Sequence, residues 1–82
     1  MKVFLIELWY DPSDAKATAQ NLGITAPDKD LAERYIREEL HFSPSPSRDS
    51  ANGEWHVWDL LDHNGVAIED VYITAREQEV FE

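Results

Sequence analysis

The chain begins with apolar residues that alternate in the manner of a strand. In residues 2–10 both alternating faces are apolar apart from Lys2 and Glu7, which is typical of a central strand with neighbours on both sides. Residues 11–14 combine proline with Asp and Ser, a composition that predicts a turn and a hairpin. Residues 16–24 carry Ala, Thr and Gln where a central strand has branched aliphatic side chains, so we expect a weaker strand at the sheet edge.

The following segment changes to the spacing of an amphipathic helix. Thr25, Pro27 and Asp28 mark its beginning, and we expect it to run to about Leu40. Its apolar stripe consists of Leu31, Ala32, Tyr35, Ile36 and Leu40. The opposite face carries residues of opposite charge four positions apart, which predicts a solvated surface of mixed charge and not a binding surface.

Two signals complete the predicted fold. Residues 43–53 have Ala51 as their only apolar side chain among Ser, Pro, Asp and Gly, which predicts a mobile loop. Asn64-Gly65 lies between two apolar segments and is the strongest hairpin signal in the chain. Together these patterns predict a single α+β domain over residues 1–82: an antiparallel four-stranded sheet with one helix packed on one face, in the order ββαββ.

A two-residue Asn-Gly turn would pair His63 with Val66 and fix the register of this hairpin. One face then consists of apolar residues that we expect to pack under the helix: Trp58, Leu60, Val71, Ile73 and Ala75. The other face places Asp59 directly opposite Asp70, and like charges facing each other in a ladder are destabilising. Three explanations remain open: a bulge near Glu69 and Asp70 that shifts the register, which a change of phase in the apolar pattern after residue 68 also suggests, a bridging metal ion, or an acidic pole that receives a cation from a partner.

Length and composition limit the type of protein. Eighty-two residues are expected to form one domain with a thin core, and the absence of cysteine fits a reducing compartment. The apolar run of residues 3–6 is interrupted by Glu7, so it is too short for an export signal or a membrane span. These observations predict a cytoplasmic protein with no membrane association.

The charge is concentrated in the last third of the chain. Residues 49–82 contain nine carboxylates and a single base, Arg76, and contribute −8 of the formal net charge of −10. Such a surplus weakens the compact state through repulsion and favours a basic partner, with a solvated surface that aids solubility as the alternative. Direct binding of nucleic acid is disfavoured because it requires lysine and arginine to neutralise phosphates.

The residues offer little support for catalysis. There is no cysteine, the serines cluster in residues 43–53, and no glycine-rich phosphate loop precedes the helix, so we expect no enzyme. His63 lies among Asp59, Asp62 and Asp70, but this spacing matches no known ligand motif. We therefore expect neither a metal site nor a cofactor.

The first strand (residues 1–10), the single helix (28–40), the acidic hairpin (54–79) and the net negative charge together resemble the small phage-encoded anti-CRISPR proteins that act on type I systems. The resemblance implies an inhibitor in the cytoplasm of the bacterial host that mimics nucleic acid and occludes the basic surface where the effector complex reads its short DNA motif or holds target DNA. The predicted partner-binding residues are Glu54, Trp55, Asp59, Asp62, Glu69, Asp70, Tyr72, Glu77 and Glu79. An antitoxin or immunity protein that neutralises a basic toxin is the alternative, and the oligomeric state stays open.

Overall fold

Five strands and one helix account for most of residues 2–79, the part of the chain that the computed structural model describes. The strands are β1 (Lys2–Tyr10), β2 (Thr18–Ala26), β3 (Ser43–Asp49), β4 (Trp55–Leu61) and β5 (Ala67–Glu79), and the helix α1 spans Lys29–Glu38. All strand pairs are antiparallel, in the spatial order β2-β1-β5-β4-β3. No helix within these residues is long and apolar enough to cross a membrane.

Strand β1 occupies a position inside the sheet, between β2 and β5, as its two apolar faces predicted. Its partner β2 lies at the edge, which confirms the prediction from its small and polar side chains, although β2 is displaced by two residues from the predicted segment 16–24. The apolar side chains of β1 therefore belong to an inner strand that has a hydrogen-bonded neighbour on each side and the helix over one of its faces.

The predicted four-stranded ββαββ arrangement is wrong because the sheet has five strands and the order of elements is ββαβββ. The additional strand is β3, which lies within the segment 43–53 that we predicted as a loop. Pro44 pairs with Leu60 and Pro46 with Trp58 along β4. Proline cannot donate a backbone hydrogen bond, but an edge strand needs donors on one side only, so a Ser-Pro sequence is tolerated there.

Asp28 caps helix α1, since its Oδ1 accepts a hydrogen bond of 2.9 Å from the backbone N–H of Leu31. The helix ends at Glu38, two residues before the predicted end at Leu40. On its exposed face, the Arg37 guanidinium lies 2.9 Å from a Glu33 carboxylate oxygen, as the four-residue spacing predicted.

The core lies between α1 and one face of the sheet. Its buried members are Ile6, Ala26, Ala32, Ile36, Trp58, Leu60, Ile73 and Ala75. Trp58 is the largest of the fully buried side chains, and its indole Nε1 donates a hydrogen bond of 3.4 Å to Glu33. The prediction that Trp58, Leu60, Ile73 and Ala75 pack under the helix is confirmed, and Val71 packs against this core.

The opposite side of the sheet, which we call the open face, has no helix over it among the described residues. Register places on it Leu5, Glu7 and Trp9 of β1, Tyr72, Thr74 and Arg76 of β5, Trp55, Val57 and Asp59 of β4, and Ser45 and Arg48 of β3. Two aromatic side chains stand in its centre: Trp9 and Tyr72 are direct cross-strand partners with stacked rings 6.0 Å apart.

Candidate acidic binding surface

The turn between β4 and β5 differs from the predicted two-residue turn. The backbone N–H of Asp62, not that of His63, bonds to the carbonyl of Val66, at 2.8 Å, so the loop contains three residues. Gly65 supplies the positive φ of 77° that such a loop requires. The Asp62 carboxylate accepts hydrogen bonds from the N–H groups of Asn64 (2.8 Å) and Val66 (3.1 Å). Asp62 therefore holds the turn together.

A bulge in β5 separates the two carboxylates that were predicted to face each other. Asp59 is paired with Tyr72, while Leu61 is paired with Ala67, so residues 68–71 lie opposite a single residue of β4. Asp70, inside this bulge, has a φ of 66°, in the left-handed region. The predicted opposition of Asp59 and Asp70 is thus wrong, and of the three explanations considered the bulge is the correct one.

This bulge meets the turn between β1 and β2. The backbone N–H of Asp11 donates a hydrogen bond of 2.7 Å to the carbonyl of Asp70. Two acidic turns and the bulge therefore share one end of the sheet, where we define the acidic pole as Asp11, Asp14, Asp62, Glu69 and Asp70. None of these five carboxylates forms an ion pair within residues 2–79. Lys16 is the base that shares the β1–β2 turn with them.

Asp59 and Tyr72 lie on the open face next to the acidic pole. The Asp59 side chain is half-buried and faces Tyr72 across the ladder. Burial raises the pKa of the Tyr72 phenol, and the nearby Asp11 carboxylate raises it further, while Arg48 opposes them. Trp9, which stacks on Tyr72, is fixed by a hydrogen bond of 3.0 Å from its Nε1 to the Thr74 hydroxyl. This combination gives the acidic pole an ordered aromatic neighbour.

The remaining predicted residues lie at the other end of the hairpin, together with two bases. Glu54, Trp55, Glu77 and Glu79 line a shallow depression there with Lys2 and Arg76. The Lys2 ammonium lies 3.2 Å from Glu77, whose hydrogen bond and charge raise the pKa of Lys2. Glu77 lies seven positions along β5 from Asp70, a span of about 20 Å. The nine predicted residues therefore form two groups, of which this second one has mixed charge.

A third charged cluster, between α1 and the edge of the sheet, escaped prediction. The Asp49 carboxylate lies 2.9 Å from Lys29 Nζ and 2.7 Å from the Nδ1 of His56, which is 8% exposed. The hydrogen bond from Lys29, and then that with His56, lowers the pKa of Asp49. The cluster fastens β3 to α1 and β4. Because Asp49 lies in the segment predicted as a loop, its partners were not predictable.

Sequence reasoning also missed Asp11 and Asp14 of the acidic pole. They lie in the first half of the chain, outside the acidic segment 49–82 that drew the prediction. The available signal was the apolar pattern of β1, which required a second neighbouring strand. A pairing of β1 with β5 brings Asp11 beside Asp70.

No group of three or more His, Cys, Asp or Glu side chains within residues 2–79 is arranged to hold a metal ion. No protein-family model, curated protein or solved structure matches the chain.

Proposed function

We propose that this protein is a binding protein without catalytic activity that docks its acidic pole against a basic, nucleic-acid-binding surface of another protein. The observation that supports it most directly is the convergence of five carboxylates on one end of the sheet with no ion pair among the described residues. On a molecule with a net charge of −10, this end attracts cationic surfaces and repels nucleic acid.

The backbone around the acidic pole favours recognition because it is held in place before any partner arrives. Asp62 is fixed by two hydrogen bonds from the turn, and Asp70 by the bond between its carbonyl and Asp11. Carboxylates on ordered turns lose little conformational entropy on binding, so more of their attraction to lysine and arginine is retained as affinity. A pocket that receives phosphates offers lysine and arginine side chains to such carboxylates.

The narrower form of the proposal is that the basic surface belongs to a CRISPR effector complex, where the protein would exclude DNA by occlusion. It rests on the resemblance of overall style noted from the sequence. The contact residues that we propose are the five carboxylates of the acidic pole, among them the predicted Asp62, Glu69 and Asp70, with Asp59 and Tyr72 at the margin. Glu54, Trp55, Glu77 and Glu79 lie about 20 Å away and serve as the comparison group.

The experiment is a displacement assay with two matched triple variants. One neutralises the acidic pole (Asp14→Asn, Glu69→Gln, Asp70→Asn), and the other makes the same charge change at the far end of the hairpin (Glu54→Gln, Glu77→Gln, Glu79→Gln). Asp62 is left intact because its carboxylate holds the turn. Each protein is titrated into a type I effector complex bound to labelled target DNA, and folding is checked by circular dichroism.

We expect the wild type to displace DNA, with weaker displacement at higher salt. The acidic-pole variant loses three surface pairs, each contributing up to about 1 kcal/mol, so its affinity should be roughly 10- to 100-fold lower than that of the wild type. The affinity of the far-end variant should fall by about threefold or less. Equal losses in both variants would attribute binding to net charge alone and refute the acidic pole as the contact. No displacement by the wild type would exclude the CRISPR form, and recovery of a single basic toxin from a bacterial lysate would favour the alternative.

A further inference from the structure

The open face is the second surface of the molecule with the features of an interface. It combines the stacked pair Trp9 and Tyr72 with Leu5, all three half-buried, next to the buried Val57, and none of the described elements lies over it. Aromatic residues held in fixed orientations are frequent anchors of protein interfaces, because they bury a large area at a small cost in conformational entropy. The acidic pole adjoins this face but does not account for it.

The charges of the open face balance, in contrast to those of the whole molecule. It carries two acids and two bases: Glu7 and Arg76, which are 3.2 Å apart, and Asp59 and Arg48. Asp59 and Arg48 have no ion-pair partner within residues 2–79, although Asp59 is half-buried. A strongly basic or acidic partner does not complement such a surface. A second copy of the same face does, and the balanced charges of the two faces reduce, at the interface, the repulsion between proteins that each carry a net charge of −10.

The positions of the unpaired groups suit a two-fold arrangement. Across the sheet, Asp59 stands in a row with Tyr72 and Trp9, and Arg48 stands in the next row with Val57. A two-fold axis between these neighbouring rows brings Arg48 of each copy to within one strand spacing of Asp59 of the other, which the long arginine side chain can span. Such an isologous interface uses both unpaired charges twice and lays the aromatic row of each copy on the neighbouring row of the other.

The area and the edges of the sheet also favour face-to-face contact. Five strands spaced by about 4.8 Å and about 25 Å long present roughly 600 Å² per copy. About 1,200 Å² in total is the lower limit of a specific protein interface. Edge-to-edge pairing through β3 is hindered because Pro44 and Pro46 remove two backbone donors from that strand.

We propose that the protein forms a homodimer in which two open faces pack together, with Arg48 of each copy paired to Asp59 of the other. The dimer shares only the marginal residues Asp59 and Tyr72 with the surface proposed for the basic partner, and it leaves the acidic pole itself uncovered. Sedimentation velocity over about 1–500 µM measures it directly, and an interface of this size predicts a dissociation constant of about 1–100 µM.

Two charge reversals make the test specific. In Arg48→Glu the interface holds two acid-acid contacts, and in Asp59→Arg it holds two base-base contacts, so each variant alone is expected to dimerise about 100-fold more weakly. In an equimolar mixture the heterodimer contains only opposite-sign contacts, and dimerisation should return. Two control variants make the same charge changes away from the open face: Arg34→Glu on the exposed face of the helix and Glu39→Arg at its end. Both should leave dimerisation within about threefold of wild type.

Three results would overturn the proposed dimer: a wild type that stays monomeric at about 500 µM, single reversals that dimerise as well as wild type, or a mixture no tighter than its components. If Asp59→Arg fails to fold, Ser45→Arg replaces it. Ser45 lies directly opposite Asp59 on β3, so an arginine there occupies Asp59 and blocks the approach of a second copy. Dimerisation of Ser45→Arg at wild-type strength would equally refute the interface.

Discussion

The bulge in β5 can be tested by comparing glycine with valine at residue 70. Asp70 has a φ of 66°, whereas the register predicted from the sequence makes it a regular strand residue opposite Asp59. These two backbone conformations of residue 70 have opposite preferences for glycine and valine. A regular strand favours the β-branched side chain of valine, while the left-handed region favours glycine, which has no Cβ.

The expected magnitudes follow from these preferences. In the left-handed region a side chain with a Cβ costs about 1–2 kcal/mol, so we expect Asp70→Val to be less stable than Asp70→Gly by that amount. An uninterrupted strand would instead make the valine variant more stable by about 1 kcal/mol. For a domain of this size each kcal/mol shifts the melting temperature by about 4–8 °C. The two structures thus differ in the sign of the effect.

Urea unfolding followed by tryptophan fluorescence measures this difference, with a common slope required for the comparison. Gln78 provides the matched control because it is an exposed residue of β5 in regular pairing with Val3. At Gln78 the valine variant should be the more stable one. A valine variant at residue 70 that equals or exceeds the glycine variant would show that Asp70 does not adopt the left-handed conformation.

Three further outcomes are expected. Lys29 and then His56 lower the pKa of Asp49, so the ionised Asp49 carboxylate stabilises the fold at pH values above its ordinary pKa of 3.8. This contribution is lost as the pH falls through the lower pKa of the folded state. In Asp49→Asn the free energy of unfolding should therefore fall less steeply between about pH 5 and 2 than in the wild type. Asp28→Ala removes the helix cap and should cost about 1 kcal/mol in chemical denaturation. Trp58→Ala empties a fully buried position, and the cost of about 3–5 kcal/mol should leave it largely unfolded by circular dichroism.

Each of these outcomes has a control in the same chain. Asp14→Asn removes an exposed carboxylate and should leave the acid limb of the profile unchanged. Asp30→Ala lies in the first helical turn but does not cap it, so its cost should be smaller than that of Asp28→Ala. Trp55 is 39% exposed, and Trp55→Ala should remain folded. A control that matches its test variant would contradict the corresponding explanation.

The elements that could be predicted from the sequence are those whose own side chains determine them. Strand β1 is apolar on both faces, α1 has a capping Asp28 and a continuous apolar stripe, and the β4–β5 hairpin has Asn64-Gly65 between apolar segments. Strand β3 has none of these signals. Its backbone is ordered by the neighbouring β4 and by the contacts of Asp49 with α1, so tertiary context overrides its local preference.

The candidate site was predictable in part for the same reason. Composition identified Asp62, Glu69 and Asp70, which lie at the acidic pole. It could not reveal that Asp11 joins them, because that depends on pairing between β1 and β5. A bulge near Glu69 and Asp70 was one of three explanations that the sequence left open. The sequence could not select it or predict the positive φ of Asp70, since glycine is the usual residue in that conformation.

The pairing of β1 with β5 has a consequence for how the chain reaches its folded state. Lys2 is aligned with Glu79, so β1 acquires its neighbour β5 only after the elements between them have been synthesised. Contacts this distant along the chain slow folding. During synthesis one edge of the apolar strand β1 remains unpaired until β5 is available. A nascent chain that stalls before residue 67 would expose this edge, and we expect such fragments to bind chaperones or to be degraded rapidly.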